Sequence, residues 1–235
     1  MLKLFQRLGL SILISGISAF PLGLHAQPLA PAKGVSGVYN DVLRVGIDPA
    51  QDRITGYYDS SSGWDETLQA PRFVCRFYFD GDWQNDRYQI TSWHPESDQF
   101  IAGEARFQEE NGTPTIALEL QEEQGGCWNV QHFADPSGAT IRLTQRSAWQ
   151  AVRLIAAQHP WIYDDPASET ATPLAISPDS PDTIVGVLAT RDHWTEVEFS
   201  ETGDSKSPQQ GWLPTLALYP EYPHRATARH GNFPQ

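Results

Sequence analysis

The residues best equipped for chemistry are a few histidines, their acidic neighbours and two cysteines. His94 is followed closely by Glu96 and Asp98, and His132 by Asp135. Such groupings can hold a metal or move a proton. Yet His-Pro-Glu-Ser-Asp is a turn-like string in which Pro, Ser and Asp serve the backbone, and His132 with Asp135 reads the same way. His193, beside Trp194 at a strand start, reads as exposed. The run from Asp80 to Asp86 opens like a calcium loop, but Asn85 stands at its sixth position and Thr91 at its twelfth. That loop needs Gly and Glu there, so a hairpin turn rich in Asp is the better reading. Zinc-hydrolase, nucleophile-elbow, phosphate-loop and dinucleotide motifs are missing from the sequence. The acidic pairs flank turns, with no second carboxylate in register for glycoside chemistry. The expectation is a protein that is not an enzyme, with no cofactor and no metal.

The remaining reactive pair, Cys75 and Cys127, depends on compartment. Lys3 and Arg7 precede an apolar run from Leu8 to Ala19, and Ala26 ends a small-residue exit. This is the layout of a secretory signal peptide over residues 1–26. The run is shorter than the roughly 20 residues a membrane span needs, and Gln27 stands where a lipoprotein carries cysteine. The mature chain is expected to be periplasmic or secreted, with no membrane insertion once the leader is removed. In that oxidising space cysteines pair by default. Cys75 also alternates with Phe73, Phe77 and Phe79 on one strand face, a core setting rather than that of a reactive thiol. A disulfide closing so long a loop contributes about 4 kcal/mol in the chain-entropy model.

The formal charge is −13, and removal of Lys3 and Arg7 with the leader takes it to −15. Nucleic acid demands Lys and Arg clusters, so it is excluded as a partner. Adsorption to anionic lipid is disfavoured for the same reason. A cationic partner could be steered by such a surface, which serves solubility equally well.

The elements that position these residues are strands. Short alternating apolar segments recur between turn signals, the mark of an all-β chain. Eight are predicted over residues 35–146: Val35–Ile47, Arg53–Tyr58, Arg72–Phe79, Arg87–Trp93, Gln99–Gln108, Thr115–Leu120, Cys127–Phe133 and Thr140–Gln145. The loop Asp59–Gly63 and the turns Asp80-Gly81 and Asn111-Gly112 are among their boundaries. Eight strands with short connections imply an antiparallel meander closing into a barrel, which removes exposed edges. Such a barrel is either filled with side chains or holds one small ligand, and the aromatic inward face favours filling.

From Ala151 the pattern changes. Trp161-Ile-Tyr-Asp-Asp-Pro166 precedes a long polar stretch, Ser168 to Asp182. Then come Thr183-Ile-Val-Gly-Val-Leu188, His193-Trp-Thr-Glu-Val-Glu-Phe199 and Gly211-Trp-Leu-Pro214. A small barrel would gather Tyr163, Trp194 and Trp212 either into its core or along a groove that stacks on an extended peptide. Trp212 suits both, while Tyr163 and Trp194 border loops and suit the groove. Over residues 150–219 the order and spacing of these motifs resemble the bacterial SH3-like domains, five-stranded barrels of many exported proteins. The resemblance implies a site in which Tyr163, Asp164, Trp194 and Pro214 match the groove positions of the Pro-rich-peptide binders. Asp165 and Ala217 stand where those binders carry tyrosine, which points away from a polyproline ligand. In bacterial relatives the resemblance implies binding to peptidoglycan peptides or to proteins.

The sequence therefore leads to an exported, non-catalytic binding protein. It comprises a disulfide-stapled barrel, a short stiff join near Arg146–Gln150, an SH3-like module and a flexible tail over 220–235. Three other readings stand beside it: a periplasmic inhibitor or immunity-type protein acting on a cationic hydrolase or toxin, a carrier of a small ligand inside the first barrel, and an enzyme whose best candidate residues are His94 and His132.

Overall fold

The computed structural model describes residues 33–94, 99–136, 138–156, 160–168, 170–173, 184–199 and 208–219. The leader, the tail, and Glu96 and Asp98 lie outside the described residues. Eight strands form a closed antiparallel barrel in sequence order: β1 (Gly37–Tyr39), β2 (Leu43–Asp48), β3 (Arg53–Asp65), β4 (Ala70–Gln84), β5 (Arg87–Trp93), β6 (Phe100–Glu110), β7 (Thr113–Leu120) and β8 (Ala139–Arg146). β1 pairs with β8 to close it.

Period-two alternation decides which side chains enter. Ile54 and Tyr58 of β3, Cys75, Phe77 and Phe79 of β4, Tyr88 and Ile90 of β5, and Ile116 and Leu118 of β7 meet in one buried cluster. The interior is filled: a Cβ on Gly56 would stand 2.1 Å from the Phe79 ring. Asn85-Asp86 and Asn111-Gly112 turn the chain with both residues at positive φ, the geometry that matches strand twist in a two-residue hairpin.

The barrel has the expected number of strands, by two compensating differences. Val35–Ile47 is not one strand but two, split by Asn40 and Asp41 at φ 45° and 60°, which these residue types tolerate. Cys127–Phe133 is not a strand. Cys127–Asn129 is a 3-10 turn in a connection that caps one barrel end. Cys75 and Cys127 form the expected disulfide, their Cα atoms 4.4 Å apart. Phe133, fully buried, drops edge-on against Tyr58 and Phe77 with ring centroids 4.9 and 5.0 Å away. Glu123 holds the cap by accepting from the N–H groups of Phe133 and Ala134 at 3.1 and 3.2 Å.

Six antiparallel strands form a second sheet in the order β11-β10-β14-β13-β12-β9: β9 (Ala151–Leu154), β10 (Trp161–Tyr163), β11 (Ala171–Pro173), β12 (Ile184–Arg191), β13 (Trp194–Phe199) and β14 (Gln209–Pro214). This is one strand more than the five implied by the resemblance. After β14 the 3-10 turn Thr215–Ala217 swings the chain back. Leu218 bridges Ile155, and Tyr219 N–H donates to Leu154 O at 3.0 Å. A small aliphatic cluster including Val185, Val187, Val197 and Leu213 lies beneath.

Both sheets belong to one compact unit, and the join is bonded at both ends. Ile47 N–H donates to Trp149 O at 3.2 Å, and Gln150 N–H to Val187 O at 2.7 Å. A separate cluster unites Tyr57, Tyr78 and Trp93 from the barrel's outside with Trp149, Val152 and Ile184. Close approach is built in. A Cβ on Gly46 would meet the Ala151 backbone at 2.4 Å, and one on Gly186 the Trp149 ring at 2.2 Å. β12 is buried over Ile184–Val187, which explains its continuous apolar run where half-exposed strands alternate.

Candidate functional site

Alternation in the second sheet sends Ile162, Val197 and Leu213 into its core. It turns Tyr163, Trp194 and Trp212 outward, each half-buried. The register then assembles them. Tyr163 lies opposite Trp212, Trp212 opposite Glu196, and Trp194 opposite Pro214. The Tyr163 and Trp194 rings meet edge to face at 4.9 Å and 78°. The Arg191 guanidinium lies 5.4 Å from the Trp212 ring, within the range of a cation–π contact. Asp164 is exposed at the end of β10. Asp165, in place of a second tyrosine, is a turn residue whose carboxylate accepts from Ala167 N–H at 2.8 Å.

The outer side of this sheet is therefore an aromatic platform with a proline at its edge. Trp212, which the sequence left between core and groove, is half-buried and lies outside the core cluster. Trp161, 51 % exposed, shares the outward side of β10 with Tyr163. The sequence reading missed it, although its spacing of two from Tyr163 is the available signal. Rings held by a pleated sheet can stack on a flat or extended ligand with little loss of rotamer freedom.

His132, His193 and Asp80 sit in the cap connection, a hairpin turn and a strand ladder. His132 is exposed and its Nδ1 lies 3.4 Å from Glu123, and Glu123 is already engaged by the cap's backbone. His193 sits exposed in the β12–β13 turn, where its carbonyl accepts from Thr215 N–H at 2.7 Å. Asp80 is bonded to Arg53 at 2.7 Å, and Asn85-Asp86 is the hairpin turn expected in place of a calcium loop. Among the described residues no group of three or more His, Cys, Asp or Glu side chains could hold a metal.

A cleft of about 200 Å³ at the junction of barrel and sheet is lined by Asp41, Arg44, Trp149 and Glu198, among others. Glu198 accepts from Ser147 Oγ, Trp149 Nε1 and Gln210 Nε2 at 2.9–3.1 Å. Its carboxylate braces the join and is committed there. Comparison with protein-family models, curated proteins and solved structures finds no match for the chain, so the chemistry of the aromatic platform carries the functional reading.

Proposed function

We propose that this is a non-catalytic exported protein that binds a protein or a cell-envelope partner of the peptidoglycan-peptide type. Its SH3-like module makes the contact through Tyr163, Trp194, Trp212 and Pro214, with Asp164 at the rim. The observation that carries the reading is the edge-to-face pair Tyr163–Trp194 on the solvent side of the sheet. The 3-10 turn after Pro214 and the return of Leu218 to Ile155 support the SH3-like comparison, since they bring the chain end back beside β9. The filled barrel interior favours contact on the outside over carriage of a small ligand within.

Aromatic anchors at the centre of a contact dominate its energy. Co-sedimentation of the purified protein with isolated peptidoglycan, and titration with its stem peptides, should show saturable binding. Trp194→Ala should weaken it roughly tenfold or more at unchanged thermal stability. Equal binding by that variant, or none by the parent, would defeat the assignment.

The inhibitor or immunity reading draws its support from the −15 mature charge. It requires capture of a basic hydrolase or toxin that fades as salt screens the charges.

A further inference from the structure

Past the barrel rim, β3 and β4 continue as a two-stranded arm. β2 pairs with β3 only as far as Tyr58, and β5 pairs with β4 only from Tyr78 onward. The β3–β4 ladder runs on to Asp65 opposite Ala70. Among the described residues, 59–65 and 70–77 thus have each other and no further strand. Asp59 N–H donates to Val42 O at 2.8 Å, the last backbone bond along that side among the described residues. Alternation aims the N–H and C=O of Ser61 to the same open side.

Seven large hydrophobic side chains are exposed among the described residues, and five are gathered here: Trp64, Leu68, Phe73 and Val74 on the arm and Trp128 on the adjoining cap. Ser62 Oγ donates to Asn129 O at 2.7 Å, which holds the cap beside the arm. A cluster of this kind on a soluble surface marks a contact site.

The two edges of the arm differ. β4 carries Pro71, which has no N–H, with Arg72 and Arg76, the residue types that blunt an edge against pairing. β3 from Ser60 to Trp64 reads Ser-Ser-Ser-Gly-Trp, with neither charge nor proline. Charge selects the partner. Residues 59–76 hold Asp59, Asp65 and Glu66 against Arg72 and Arg76, a net −1 in a chain of −13. Four of the five are internally paired, Asp59 with Arg76 at 3.0 Å and Asp65 with Arg72 at 2.8 Å. A cationic partner would be held by the rest of the surface, whereas a second acidic copy is repelled there and can approach by the arm.

We propose that two copies associate through the open β3 edges of their arms, with Trp64 and Phe73 covering the seam. Such a contact is isologous and closes at two chains. Sedimentation velocity of the purified full chain, across a wide concentration range and at low and high salt, tests it. The expected result is a dimer that tightens with salt, because screening relieves repulsion between the bodies. Ser61→Lys, which sets like charges across the seam, and the double change Trp64→Ser with Phe73→Ser should each weaken it roughly tenfold or more. Circular dichroism and the thermal midpoint should hold in at least one of these variants, which separates lost contact from lost fold. A monomer at every concentration, a dimer indifferent to both variants or one dissolved by salt would overturn the proposal. So would a monomer that floats with zwitterionic phosphatidylcholine vesicles, which would give the arm to a bilayer.

Discussion

The barrel draws Tyr39, Tyr58, Phe77, Phe79, Tyr88 and Phe133 into its core, while the second sheet fills its core mainly with aliphatics and turns Tyr163, Trp194 and Trp212 outward. Closure explains the contrast. A closed barrel of eight strands has an interior just wide enough for bulky side chains. The smaller sheet encloses little volume, so its large rings go elsewhere. It gains the missing burial by leaning on the barrel through Trp149, Val152 and Ile184. One region seals most of its rings inside and bares a few on its arm and cap; the other turns its rings to the outside of the sheet.

The largest effect that would break this contrast is alkaline. Burial raises the phenol pKa of Tyr39, Tyr57 and Tyr78 above the ordinary 10.0, and pushes that of Tyr88 up to about 12. The folded chain holds these protons more tightly than the unfolded one. Their contribution is therefore complete below pH 10 and is lost as pH rises toward the folded values. Stability should stay level to about pH 9 and then fall steeply, with the absorbance of these four phenolates appearing together with unfolding. Phenolate absorbance near pH 10 that exceeds what the three tyrosines outside the barrel, Tyr163, Tyr219 and Tyr222, can supply, while the far-ultraviolet signal holds, would mean the barrel tyrosines are not sealed.

A smaller but sharper change is Phe133→Ala. Removing a fully buried ring that closes one barrel end should cost about 3–5 kcal/mol in denaturant unfolding. A loss below about 1 kcal/mol would make the cap a surface loop and the barrel end open.

Much of this contrast was legible beforehand. Alternation in Ile116, Leu118 and Leu120 read directly as an inward face, and Asn111-Gly112 as a two-residue turn. The readings that differed share a cause, which is that local turn chemistry does not report tertiary pairing. Ser60-Ser-Ser-Gly63 looks like a loop, yet its three serines face Cys75, Val74 and Phe73 of β4 in register and Trp64 beyond them faces Pro71, so the arm went unseen. Gly81 looks like a turn end but sits opposite Ile90 inside the β4–β5 ladder. Conversely, Cys127 and Phe133 have strand-like apolar spacing because a cap, not a strand, delivers both to the core. For the platform, residue types were readable from spacing, but outward orientation depended on which neighbours of Tyr163, Trp194 and Trp212 filled the core. The lean of the second sheet on the barrel had no local signature beyond the shortness of the join.

That lean can be tested at a single atom. Thr55 lies on the outer side of β3, nearly sealed from water, and its Oγ1 accepts the Val152 N–H at 2.8 Å. Thr55→Val keeps the side-chain shape and deletes the acceptor, leaving a buried N–H unpaired at a cost of about 1–3 kcal/mol. The comparison predicts where that cost is felt. If the second sheet depends on the barrel, amide exchange in β9, β12 and β13 should accelerate correspondingly, while β7, which contributes no side chain to the cluster joining the two sheets, keeps its protection. Equal acceleration in both sheets would show that they open as one unit, and no change in β9 and β12 would show that the second sheet stands without its neighbour.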